Sequence, residues 1–452
     1  MSAYANKRFL VIDDQPLARE ALRAIAQTVG AFAVEFASNY QDAIYRIRNN
    51  PPHIILCDYM LGDGRSGQQL LEELRRFNLL SDDTIFMMVT GEQSYEQVVA
   101  AVELVPDDYI IKPFSPEKLL LRLDRILAKK RFFAAYYKEK RRQEYAKALA
   151  ILAAQRDSEA GRPYRFEILR QQAEVHLAAG DPEAAEAAYR DILGNYEFPW
   201  ARAGVARALH VQSRHGEARE EIERVVAGTP GYFDAADLKA SICMAQGEHA
   251  EAQKVLDEVA RKTPRNYLRK RLLAEAAGLN GDSETARAVM ADIVANDTMP
   301  GAVSPADQLA LARSHVNAGD LVAAEKVLVG LRESEVQNLS LAEQASYAGL
   351  MAVASPERGK GRFAGLRPAL LATELPGEAR IDVLRAALAA ADAELADRQA
   401  TALMAGDEAK KVFAATRKLY ALHGREGDFR EIQKEVALRR IQHEEGVPPA
   451  AG

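Results

Sequence analysis

Cysteine, aromatic residues and long apolar runs are all scarce in this chain of 452 residues, and each shortage closes off a class of protein. Only two cysteines occur, Cys57 and Cys243, far apart and in apolar neighbourhoods. That excludes a disulfide framework and suits buried free thiols in a reducing compartment. No run approaches the roughly 18 apolar residues of a spanning helix, which excludes membrane insertion. The start, MSAYANKRFLVIDD, passes directly into a strand-like run and lacks the parts of a secretory signal, so a cytoplasmic location is expected. An excess of positive charge is also missing, since the formal net charge is -6. Attraction to a phosphate backbone would therefore have to be local. One local exception exists: residues 129–147 carry eight Lys and Arg against two acids. What remains is 48% hydrophobic and 27% charged, the make-up of helix-rich globular protein in two or three domains.

Residues 1–128 alternate. The runs RFLVI (8–12), AVEFA (33–37), HIILC (53–57), IFMMVT (85–90) and YIIK (109–112) have strand length and composition. Five stretches with apolar residues three and four apart, beginning at Pro16, Tyr40, Gly67, Ser94 and Ser115, separate and follow them. Strict alternation predicts a doubly wound α/β fold around a five-stranded parallel sheet. Ligands of such folds meet the loops at the carboxyl ends of the strands. At those ends stand Asp13 and Asp14, then Asp58, Thr90 and Lys112.

Carboxylates gathered closely repel unless a cation shares the site, and hard oxygen donors suit Mg²⁺. Asp58, on a loop opened by Gly62, Gly64 and Gly67, is placed to attack phosphorus and become an aspartyl phosphate. Lys112 offers a point charge to the phosphoryl group and the Thr90 hydroxyl a hydrogen bond. The segments FLVIDDQ, IILCDYM, MMVTGE and DDYIIKPF resemble the receiver domain of two-component response regulators, a CheY-like, flavodoxin-like fold. The resemblance implies that Asp13 and Asp14 form the acidic metal pair, Asp58 the phosphoacceptor, Thr90 the switch hydroxyl, Tyr109 the switch aromatic and Lys112 the phosphate-pairing lysine. It also implies that the backbone carbonyl of Met60 joins the Mg²⁺ ligands and that a histidine kinase or phosphotransfer protein is the donor. Met60 and Glu92 match the positions that flank the hydrolytic water. Because methionine orients water poorly, a long-lived phosphorylated state is expected. Gly62 and the segment ELVPDDY depart from the commoner family pattern without removing a reacting group.

Ser115 and Pro116 open a helix, and no Gly or Pro recurs before Gly161. Continuous to about Ala154, that helix would span roughly 60 Å. Within it Phe132, Phe133, Tyr136 and Tyr137 share one side. The stripe fits packing on the next helix or on a second copy of the chain, making a homodimer an admissible partner. Basic residues beside aromatics also suit nucleic acid, the less favoured reading.

Beyond the linker of residues 129–164 a repeat begins. Gly180, Ser213, Gly247, Gly281 and Gly319 are spaced 33, 34, 34 and 38 apart. Alanine stands five positions after each (Ala185, Ala218, Ala252, Ala286, Ala324) and seven before (Ala173, Ala206, Ala240, Ala274, Ala312). A large apolar residue stands nine after: Tyr189, Ile222, Leu256, Met290, Leu328. Small residues let antiparallel helices approach, and units near 34 residues stack into an all-α solenoid. Residues 165–335 resemble the tetratricopeptide repeat family, which implies a protein or peptide target. Residues 336–452 show helical pattern without that register, interrupted by SPERGKGRFAGLRP, and are expected to be degenerate repeats with a capping helix.

No enzyme motif survives inspection. GKG at 359–361 lacks the residues of a phosphate loop, and His443 and Glu444 lack the second histidine of a zinc helix. His176 and His315 share one repeat offset and read as solenoid residues. The expectation is a non-enzymatic response regulator controlling protein binding. The rivals are a DNA-binding regulator acting through the basic linker and a phosphate sink that docks its kinase.

Overall fold

The computed structural model describes residues 4–31, 33–61, 66–76, 79–81, 83–91, 106–229, 231–263, 266–295, 304–406 and 409–444, with side chains at 68, 69, 72, 73, 76 and 440–444 left aside. The chain divides into two compact units, Met1–Ala236 and Asp237–Gly452.

The first unit opens with β1 (Arg8–Ile12), α1 (Pro16–Thr28), β2 (Ala33–Ala37), α2 (Tyr40–Asn49), β3 (Ile54–Asp58), α3 (Gly67–Arg76), β4 (Ile85–Thr90) and β5 (Asp108–Ile111). The strands form one parallel sheet in the order β2-β1-β3-β4-β5. Their inward residues are apolar because both faces are covered, as parallel sheets require. β3 and β5 each sit one residue from the ranges read in the sequence, so Asp58 closes its strand and Lys112 follows one. The fourth helical stretch, from Ser94, lies outside the described residues.

After β5 comes α4 (Pro116–Arg141), capped by the Ser115 side chain, which accepts from the Lys118 amide. It does not run to Ala154 as the lack of glycine suggested. Gln143 adopts φ 58°, and the Glu144 amide donates to the Glu139 carbonyl at 3.0 Å, ending the helix after 26 residues, about 39 Å. A second helix, Tyr145–Asp157, then folds back on α4. Phe133 and Tyr136 are fully buried against Ala148, Leu152, Ile168 and Val175, with Phe132 and Tyr137 packed at the margin. The Tyr136 hydroxyl donates to the Gln171 side chain. The aromatic stripe is therefore core, shared between the last helix of the α/β domain and the first helices of the repeats. Two more pairs, Arg165–Ala178 with Pro182–Leu193 and Pro199–Val211 with His215–Gly228, complete this unit's helical part.

The periodic markers are the turns inside helix pairs. Gly180, Ser213, Gly247, Gly281 and Gly319 all have φ between 60° and 83°. At each, the next amide donates to the carbonyl four before the marker at 2.8–3.0 Å, a Schellman closure. In two of these the accepting carbonyls are those of His176 and His315. Every alanine and large residue of the repeat register is buried.

The second unit carries the pattern further than the sequence register indicated. Ala391 (φ 56°) and Gly424 (φ 68°), 33 residues apart, make the same closure through Asp392 to Ala387 and Arg425 to Tyr420. The segment read as an interruption is instead the helix Pro356–Ala372. A Cβ on Gly359 would lie 2.3 Å from the Ala352 amide nitrogen, so glycine there lets this helix meet Leu341–Ala354 at backbone distance. No described helix is long and apolar enough to cross a membrane. The first helices of the pairs are joined by ionic contacts: Asp237 with Arg269, Arg271 with Asp307, and Arg313 with Asp382.

Candidate functional site

Register fixes the site. Ile12 pairs with Cys57, Asp58 with Val89, and Thr90 with Ile111. Asp13, Asp58, Thr90 and Lys112 therefore reach one sheet edge from segments up to 99 positions apart. Asp13 is 1% exposed and Thr90 is buried. The Lys112 ammonium donates to Asp13 Oδ2 at 2.7 Å and to Asp58 Oδ1 at 2.8 Å. The Lys112 amide is tied to the Thr90 carbonyl at 2.7 Å, so β4 and β5 hold the ammonium in place.

Asp58 is further shaped by its loop. Its Oδ2 accepts from the Met60 amide at 3.0 Å. The amide of Gly67 donates to the Tyr59 carbonyl at 2.8 Å. A Cβ on Gly67 would stand 2.3 Å from the Asp58 carbonyl oxygen and 2.7 Å from Cys57 Sγ, so only glycine permits this approach. Burial pushes the Asp58 carboxyl above its ordinary value, and the hydrogen bond and charge of Lys112 offset this only in part. Burial alone would lower the Lys112 ammonium, but its hydrogen bonds to Asp13 and Asp58 and their charges hold it above its ordinary value. Burial also pushes up the neighbouring Cys57 thiol, an inert core group.

The remaining expected residues are distributed as follows. Asp14 follows Asp13 at the end of β1, and the Arg19 guanidinium accounts for both of their carbonyls, at 2.7 and 3.1 Å. Among the described residues no three acidic, histidine or cysteine side chains are spaced to hold a metal ion by themselves. The donors are nevertheless of the kind Mg²⁺ takes: two carboxylates, Asp13 and Asp58, already share one positive charge, and Met60 can add a carbonyl. The Met60 side chain is 50% exposed. Glu92, Gly62 and Gly64 lie outside the described residues.

Tyr109 is half-buried on β5, with the Arg122 guanidinium 6.0 Å from its ring centroid. Sequence reasoning missed the contacts that surround it. Arg122 and Arg125 of α4 pair with Asp108 at 2.6 and 3.0 Å, and Lys130 pairs with Asp107 at 2.9 Å. The preceding Lys129 pairs with Glu167 in the helix Arg165–Ala178 at 3.2 Å. Two adjacent lysines thus tie the start of β5 and the repeats to the same helix. The only available signal was the basic cluster at 129–131 facing an acidic pair, which sequence spacing cannot join.

The response regulator receiver domain model matches residues 9–124. The phosphate regulon transcriptional regulatory protein PhoB of Pseudomonas aeruginosa is 36% identical over 122 residues, covering 27% of this chain and 52% of that protein. This chain spans about half the length of the curated relatives it matches. A solved response regulator from Chloroflexus aurantiacus J-10-fl is 29% identical and covers 27% of this chain and 98% of its own, with a TM-score of 0.25. A tetratricopeptide repeat protein from Parabacteroides merdae covers 69% of this chain and 99% of its own at 10% identity, with a TM-score of 0.38.

Proposed function

Because residues 9–124 belong to the response regulator receiver family, we propose that the chain is a response regulator in which phosphorylation of Asp58 controls protein binding by the helical repeats. The observation that carries this reading is the single ammonium, Lys112, shared by Asp13 and Asp58 at the carboxyl edge of the sheet. In the transfer, an Asp58 carboxylate oxygen attacks phosphorus, a P–O bond forms, and the P–N bond to the donor histidine breaks with the electron pair leaving on the imidazole. Asp13, Asp14, Asp58 and the Met60 carbonyl would hold Mg²⁺, which would supply positive charge to the phosphoryl oxygens. Lys112 then pairs with the phosphoryl group instead of the bare carboxylate, and the Thr90 hydroxyl donates to it.

The output follows from the strands that carry these groups. Movement of Thr90 draws on the environment of Tyr109, whose ring lies beside Arg122, and Arg122 is anchored to Asp108. All of these act on α4, whose second half is built into the repeat core. Phosphorylation shifts a population between two arrangements by the difference in their contacts to the phosphate. The phosphoryl donor is a histidine kinase or phosphotransfer protein, the partner a cytoplasmic protein or peptide. Full burial of Phe133 and Tyr136 takes two of the four rings of the stripe out of reach of bases, which favours the protein-binding reading over the nucleic-acid one.

The test is affinity capture from the native cytoplasm with wild type and Asp58→Asn, each with and without acetyl phosphate and Mg²⁺. Partners whose recovery changes with acetyl phosphate only for wild type are expected. Identical recovery in all four arms contradicts the reading, and changes confined to kinase recovery favour a phosphate sink.

A further inference from the structure

Two of the helix pairs carry an ion bridge at the same place in the repeat. Arg202, eleven positions before the turn at Ser213, reaches Glu221 of the second helix at 2.7 Å. Lys270, eleven before Gly281, likewise pairs with Asp292. The acids stand eight and eleven positions after their turns. In the pair that turns at Gly319 the polar member is Gln308, but Val327 and Gly330 occupy the two acid positions. The second helix of that pair is also cut short, Leu321–Val329 having 9 residues against 12 to 14 in the four second helices before it. The place of the bridge is therefore open. A cavity of about 420 Å³ lies there, between the helices Ser283–Ala295, Pro305–Ala318 and Leu321–Val329.

Val294, Ala323 and Val327 give this cavity an apolar wall. Gln308 Oε1 is buried without a hydrogen bond, and His315 Nδ1 makes none either, the Asp320 carboxylate standing 3.5 Å away. A buried acceptor without a donor is costly, so an apolar group that brings an N–H with it is favoured twice. Lys326 stands exposed at the rim, and the carboxylate beside it, Glu325, pairs with Arg358 at 3.2 Å. One turn to either side of Lys326, Val322 and Val329 are 81% and 51% exposed. An apolar strip with a cation at its middle thus continues past the mouth of the cavity.

We propose that this cavity receives an apolar side chain from a segment of a partner protein. A backbone N–H of the segment donates to Gln308 Oε1, and an acidic side chain next to the apolar one pairs with Lys326. A small molecule confined to the cavity would leave Val322 and Val329 in water, whereas an extended segment covers them, which is why the occupant is a segment. The inference rests on the protein-binding half of the reading above and gives it a seat and a sequence type. It does not involve Asp58, so its failure leaves phosphoryl control of binding untouched.

The test titrates the full chain, labelled at its valine methyl groups, with the amide of N-acetyl-Leu-Asp and follows the methyl resonances. Saturable shifts confined to Val294, Val322, Val327 and Val329 are expected. Asn in place of Asp in the peptide should weaken binding about two- to fivefold, as loss of a rim ion pair does. Ala in place of Leu should weaken it about tenfold, through lost apolar burial. Lys326→Ala, an exposed change that leaves folding intact, should bind the Asp and Asn peptides equally. Ala323→Phe, which fills the cavity, should bind neither while keeping native circular dichroism. Absence of shifts, shifts at other valines, equal affinity of wild type for the Asp and Asn peptides, or no effect of Lys326→Ala would each overturn the proposal. N-acetyl-leucine binding as tightly as the dipeptide would also overturn it, in favour of a small carboxylate.

Discussion

Truncating Phe133 asks whether the second half of α4 is core or an exposed basic stripe. The ring is fully buried among Tyr136, Ala148, Leu152, Ile168 and Val175. A buried phenylalanine removes about 150–250 Å² from water. At about 25 cal/mol/Å² that is roughly 4–6 kcal/mol, and the alanine that remains recovers part of it. Measured truncations of this type cost about 3–5 kcal/mol once the cavity is included. Phe133→Ala should therefore destabilise the first unit by about 3–5 kcal/mol. Phe132→Ala, at the margin of the same cluster, should cost clearly less. The assay is urea unfolding followed by the fluorescence of Trp200, the sole tryptophan, which lies in the same unit. Equal, small shifts for both variants would refute the packing argument and return the stripe to solvent.

Ala391→Gly should stabilise the chain by about 0.5–1 kcal/mol, since it relieves a left-handed alanine at some cost in unfolded-state entropy. Gly281→Ala should cost about 1–2 kcal/mol through backbone conformation alone, because nothing lies within 4 Å of the added methyl; thermal melts of the two variants check both signs. Burial tends to raise the Asp307 carboxyl, but Arg271 and Ser304 more than offset this and hold it below its ordinary value. Its stabilisation is then fully present above about pH 4 and fades as pH falls through the lower folded value. Asp307→Asn should lose roughly 1.5–3 kcal/mol at neutral pH and show a flatter acid limb in denaturation. Met60→Asn should shorten the lifetime of the phosphorylated state by placing a water-orienting amide at the loop, which decay of labelled protein measures directly.

Much of the site was legible because a parallel sheet converts strand order into position. Asp13, Asp58 and Lys112 needed only correct strand ends to be brought together, and a one-residue shift in β3 and β5 left that outcome intact. The repeat was equally legible wherever glycine or serine marked the turn and alanine stood five later. It faded where those signals changed. Gln143 and Ala391 take left-handed turns without being glycine, and Gly424 is followed at the fifth position by Phe429 rather than alanine. Their conformation is imposed by the helices they join, which no local propensity reveals. The ionic contacts of Arg122, Arg125 and Lys130 with Asp107 and Asp108 were hidden for a related reason. A charge on an amphipathic helix announces exposure, not its partner.

Intact-mass measurement of the full chain after incubation with acetyl phosphate and Mg²⁺ tests the phosphoacceptor most directly. Wild type should gain one phosphoryl group that maps to Asp58 and that chelation of Mg²⁺ prevents. Asp58→Asn should gain none. An unmodified wild type, or equal labelling of the Asn variant, would contradict the account.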